Sequence, residues 1–277
     1  MRLKTFGLRT MGCAALVTLA LASIPANAHR QWMLPSATNL SGENPWVTVD
    51  AAISNDLFYF EHVPMGLDNV RAYAPDGSEV AVQNKASGRY RSVFDVELKQ
   101  QGTYKIVNLG HGAAGKFKQG GVEKRLPRGL AIGKLAEAVP ADATDLDLSE
   151  NLTRNEIFVT VGSPTQTVLK PTGKGIELAA DAQPTDLVAG EPTVFQFLLD
   201  GKPAANIKVT VIPGGIRYRD QLNQMDLTAD AQGKVTIDWQ EPGMYWLNAT
   251  ASDEKSTVPN IKKRRMSYIT TLEVQAP

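Results

Sequence analysis

The feature that most constrains this chain is a repeated short rhythm in which apolar and polar residues alternate for a few positions and a cluster of Gly, Pro, Asp or Asn then interrupts. Trp46–Ile53 (WVTVDAAI), Tyr90–Leu98 (YRSVFDVEL), Thr193–Leu199 (TVFQFLL), Ile207–Ile212 (IKVTVI) and Lys234–Trp239 (KVTIDW) all show it. Alternation with a period of two places successive side chains on opposite faces of a pleated strand, one face for a core and one for water. Pro75-Asp76-Gly77, Asp200-Gly201-Lys202-Pro203 and Asp230-Ala231-Gln232-Gly233 supply tight turns between such runs. Many short strands joined by turns predict a mainly β chain built from two tandem β-sandwiches.

The texture changes twice along the chain. Residues 110–133 (GHGAAGKFKQGGVEKRLPRGLAIG) are rich in glycine and basic side chains, and Leu135–Val139 and Thr144–Asn155 are polar with helix-compatible spacing. We therefore expect a long loop and helical insertion over 110–155 within a first domain of 29–162. The basic loop lacks the context of a phosphate loop, so no nucleotide site is expected there, though its cations suit an anion. Residues 163–175 (SPTQTVLKPTGKG) are short of large apolar side chains and read as a linker to a second domain over 176–277. Lys262-Lys263-Arg264-Arg265 reads as a solvated loop before the last strand. Motifs recur between the halves. Gly42-Glu43 returns as Gly190-Glu191, and Gly102-Thr103-Tyr104 as Gly243-Met244-Tyr245.

The N-terminus carries an export signal: Arg2, Lys4 and Arg9, an apolar run from Cys13 to Ile24, then Ala26-Asn27-Ala28. Cleavage behind Ala28 leaves 249 residues with 26 Lys+Arg against 29 Asp+Glu, a formal charge of −3. That balance argues against a nucleic-acid partner. Cys13 is the one cysteine, so the processed chain has no disulfide, no thiolate ligand and no thiol nucleophile. No later run approaches the ~20 apolar residues of a membrane-spanning helix. The expected location is the periplasm.

Processing would also make His29 the first residue, with a free α-amino group beside its imidazole. Amine and ring of one residue chelate a single ion, the beginning of a histidine brace. His62 and His111 are the other imidazoles in the chain. Together the three offer four nitrogens, which suits nickel or copper in a tetragonal field, with iron a further possibility. Asp50, Glu61 and Met65 are secondary candidates for the same ion. No Gly-x-Ser-x-Gly elbow is present, and no paired carboxylates can be assigned, so a non-enzymatic role is expected. The competing readings are a metal-free sandwich module that binds a carbohydrate or protein partner, and a copper enzyme of the histidine-brace type.

The second half, with its Asp200-Gly201 turn, Val209-Thr210-Val211 strand and Gly243-Met244-Tyr245 corner, resembles immunoglobulin-like and transthyretin-like modules of secreted bacterial proteins. Ala28-His29, Trp32, Gly42-Glu43 and Val161-Gly162 extend the likeness over roughly 29–274. The chain as a whole resembles an exported family of unknown function, domain-of-unknown-function family 4198, associated with nickel uptake. The resemblance implies a periplasmic protein of two β-rich domains. It also implies a metal ion or small metal complex as ligand and a membrane uptake component as partner.

Overall fold

The computed structural model describes residues 29–179 and 183–277, so the expected signal segment 1–28 lies outside the described residues. The first half forms β1 (Arg30–Pro35), β2 (Asn39–Leu40), β3 (Trp46–Ser54), β4 (Val63–Pro64), β5 (Val70–Tyr73), β6 (Glu79–Val80) and β7 (Val82–Ser87). It continues with β8 (Ser92–Glu97), β9 (Gly102–Gln119), β10 (Val122–Arg125), β11 (Leu130–Ala131), the short helix α1 (Leu135–Ala138) and β12 (Thr144–Val161). The second half forms β13 (Ile176–Leu178), β14 (Pro192–Leu199), β15 (Lys202–Pro203), β16 (Lys208–Pro213), β17 (Met225–Thr228), β18 (Lys234–Asp238), β19 (Gly243–Asp253) and β20 (Lys263–Val274). The chain is mainly β, in sandwiches, as the alternation predicts.

Each half closes over its own core. In the first, the inward residues of β3 and β8, Val47, Val49, Phe94 and Val96, meet Ile106, Ile157 and Val159 of the facing sheet. In the second, Phe195 and Phe197 of β14 meet Val209, Leu247 and Tyr268, with Trp239 completing the layer. What the sequence does not announce is that the halves share a sheet, ordered β17-β16-β19-β20-β12-β9-β5-β6. At its centre Ser149–Glu156 of β12 runs parallel to Lys263–Thr270 of β20. A third apolar cluster, formed by Trp32, Ala52, Leu57, Ile212, Trp246 and Ile269, packs the outer faces of the two sandwiches together.

The insertion differs from expectation. Residues 110–119 extend β9 rather than forming a loop, and 144–155 lie in β12 rather than in a helix. The other helix-compatible stretch does form one turn of helix, Leu135–Ala138, and the only other helix among the described residues is in single 3-10 turns. The reason is pairing: β12 lies between β9 and β20, so a helix there would orphan the backbone donors and acceptors of both neighbours. The β9–β12 register slips between Thr144 and Asp147. Gly115 sits opposite that slip with φ +132, and a Cβ on it would run into the Asp147 carbonyl, so glycine is required. The 262–265 stretch is not simply a solvated loop either. Lys263, Arg264 and Arg265 open β20, and Arg264 is buried against Asp200 and Asp253.

The recurring Gly-x-Tyr motif has a structural meaning. Tyr104 Oη accepts from the Gln100 amide at 2.6 Å and lies 3.2 Å from the Gln100 carbonyl. Tyr245 Oη repeats this with Glu241, at 3.3 Å from the amide and 2.7 Å from the carbonyl. Both are tyrosine corners that tie a strand start to the turn before it. Tyr104→Phe and Tyr245→Phe are each expected to cost about 1 kcal/mol in denaturant unfolding, because each strips a hydroxyl partner from part-buried hydrogen bonds to the backbone. An unchanged midpoint in both would refute that role.

Candidate metal centre

His29 immediately precedes β1, and His62 immediately precedes β4. Both strands pair with the same end of β3, Arg30 opposite Ser54 and Val63 opposite Ile53. Two distant parts of the sequence thus deliver their imidazoles to one rim of the first sandwich. The rings stack with centroids 3.8 Å apart and planes tilted by 2°.

The loop that carries His62 is fixed by its own residues. Trp32 Nε1 donates to Ser54 Oγ at 2.8 Å, and Ser54 Oγ donates to the Asp56 carbonyl at 2.6 Å. Phe58 adopts φ +63, a left-handed backbone conformation that disfavours a bulky side chain. Its ring packs edge-on against Trp32 with centroids 5.5 Å apart, and Phe60 meets the same indole at 5.5 Å. Packing of the two partly buried rings against Trp32 offsets the backbone cost. Glu61 accepts from the Asn55 and Asp56 amides at 2.9 and 2.8 Å. Burial alone would raise the Glu61 carboxyl, but the Asp56 amide and Arg217 outweigh it and hold the group below its ordinary range. Arg217 reaches both Asp56 and Glu61 at 3.1 Å and covers the Tyr59 ring at 4.2 Å. On the other side Arg91 pairs with Asp50 at 3.2 Å and covers Phe60 at 4.4 Å.

Of the sequence candidates, His29 and His62 meet. His111 lies on β9 opposite Leu152, where its Nε2 is 2.7 Å from Glu150 Oε1. Glu150 is buried, and its other oxygen has no partner among the described residues. Met65 is buried in the first core near the Asn155 amide, Glu61 is taken by its loop, and Asp50 by Arg91. Among the described residues, no three His, Cys, Asp or Glu side chains converge as metal ligands. The α-amine of a processed His29 lies outside that set of side chains. Sequence reasoning missed Arg217 and Arg91, which lie far along the chain from the histidines and carry no local signal.

The fold and site define a tandem β-sandwich protein with an imidazole pair at the rim of its first domain. The chain belongs to the family described as Domain of unknown function (DUF4198), whose match spans residues 26–253. No curated protein matches it. Among solved structures it is similar to the D0-D1 domain of intimin, at 14% identity over 87% of this chain and 96% of that one, with a TM-score of 0.21. It is similar to a Salmonella alpha-2-macroglobulin reacted with methylamine, at 14% identity over 88% of this chain and 15% of that one, TM-score 0.23. An ICAM-5 D1-D4 ectodomain fragment matches at 8% identity over 89% of this chain and 51% of that one, TM-score 0.21. No helix among the described residues is long and apolar enough to cross a membrane.

Proposed function

We propose that this protein is an exported, periplasmic accessory protein that binds a transition-metal ion and passes it to an uptake system, without catalysing a reaction. The ion is the cargo, held by the α-amine and imidazole of a processed His29 together with the imidazole of His62. The observation that carries this reading is the stack of the two rings at 3.8 Å. Two nitrogens bound to one ion are at most about 4 Å apart, twice a metal–nitrogen bond of about 2.0–2.1 Å. The stack brings the rings within that range, and because their in-plane lone pairs lie in parallel planes the rings must turn toward each other to share an ion. An amine and two imidazoles form an all-nitrogen donor set, which suits Ni(II) or Cu(II) better than harder ions. Arg217, Glu61 and the Trp32 contacts hold the His62 loop in place, as supporting groups do around metal ligands.

The test is competitive titration of protein whose first residue is verified as His29, with Ni(II) and Cu(II) separately. Binding of one ion per chain is expected. His29→Ala, His62→Ala and a single residue added before His29 should each weaken it on the order of 100-fold or more, since even outer-shell partners are worth about 10–100-fold. His111→Ala should bind like the parent. If all the forms bind alike, or none binds, the terminal chelate is wrong.

A further inference from the structure

Beneath the β9–β10 hairpin lies a concavity of about 720 Å³, bounded by β9, the end of β10, the 126–129 turn, β11, β12 and the start of β20. Arg125, Arg128, Arg265, Lys116 and His111 line it, against one carboxylate, Asp147, which already faces Lys263 at 3.6 Å. Of the arginines among the described residues, eight engage a carboxylate, a backbone carbonyl or an aromatic ring. The three that engage none of these are Arg125, Arg128 and Arg265, and all three line this one concavity. Arg125 and Arg128 belong to the one basic stretch 110–133 and Arg265 to the start of β20, so the fold brings two distant segments to the same wall. His111 also lines this wall, with its Nε2 2.7 Å from the buried Glu150 and Nδ1 left as the ring's remaining hydrogen-bonding atom.

We propose that this concavity binds a small polyanion carrying two or more carboxylate or phosphate groups. Guanidinium forks match either group with two parallel hydrogen bonds, which a lysine cannot do. Like charges gathered in a concave wall repel one another and focus a positive field, and a multiply charged anion relieves the first and exploits the second. The site is separate from the imidazole pair and does not depend on metal binding there.

The experiment is calorimetric titration of the whole processed protein in metal-free, low-salt buffer with citrate, tripolyphosphate and acetate. A parallel arm uses vesicles of phosphatidylglycerol, to separate a free anion from a lipid headgroup. Saturable binding of citrate or tripolyphosphate at one per chain is expected, with acetate far weaker. Arg125→Gln, Arg128→Gln and Arg265→Gln should each weaken it about tenfold, as loss of one charge-assisted contact implies. All three positions are exposed, so melting curves should match the parent and certify folding. Absence of saturable binding by either polyanion would overturn the proposal. So would affinities unchanged in all three variants, or binding to vesicles alone.

Discussion

Replacing Arg154 with glutamine lowers the thermal midpoint by about 10 °C at neutral pH, the larger of the charge effects expected in this fold. Arg154 lies on β12 of the first sandwich and reaches Glu156 at 2.9 Å and Glu177 of β13 at 3.2 Å. The three side chains are only 11%, 5% and 5% exposed. Removing the cation strands two buried carboxylates, which costs about 3–5 kcal/mol, and each kcal/mol moves the midpoint by about 2–4 °C in a chain of this size. The pH dependence follows from Glu177. Burial pushes its carboxyl up, but the amide and hydroxyl of Thr172, then Arg154 and the Gly173 amide, win and hold it below the ordinary range. A carboxyl depressed in the folded state stabilises above its unfolded value of about 4.3 and loses that contribution as pH falls through the folded one. The gap between parent and Arg154→Gln should therefore be full at pH 7 and shrink below about pH 4. A gap that stays constant down to pH 3 would show that the arginine acts through packing alone. Arg154→Gln/Glu177→Gln should recover part of the loss, because it removes one stranded charge along with its partner.

The strands of both sandwiches were legible because alternation is a local property. Val47, Val49, Phe94 and Val96 alternate in sequence and point into one core. The tyrosine corners were legible as a recurring motif, though their hydrogen bonds were not. The shared sheet was illegible, since no residue of β12 advertises that its edge will meet β20 at the far end of the chain. The polar, helix-spaced stretch 144–155 misleads for the same reason: its neighbours, not its own pattern, decide its backbone. Arg264 misleads similarly, since a run of four cations reads as solvated until Asp200 arrives from the turn after β14 and Asp253 from the end of β19. For the candidate site, the identity of His29 and His62 was legible and their meeting was not, because it depends on both flanking the same end of β3. The separate placement of His111 with Glu150 depends on the β9–β12 register, which sequence spacing does not contain.

Trp32→Ala is expected to lose stability and to loosen the His62 loop together, whereas Trp239→Ala should lose as much stability and leave that loop intact. Both indoles are almost wholly buried, and truncation of such a side chain costs about 3–5 kcal/mol. They differ in what they hold. Trp239 belongs to the second core, with its Nε1 on Thr193 Oγ1 at 2.9 Å and its ring against Phe195 and Tyr245. Trp32 belongs to the cluster between the sandwiches, fastens Ser54 and, through it, Asp56, and supports the rings of Phe58 and Phe60. Without that indole, Phe58 has no ring to offset its left-handed backbone, so the segment from Asn55 to His62 relaxes. Amide exchange at Asn55 and Asp56, measured where both variants remain folded, should accelerate in Trp32→Ala and stay at the parent rate in Trp239→Ala. Equal acceleration in both would mean that global stability, rather than the indole beside it, orders the loop that brings His62 to His29.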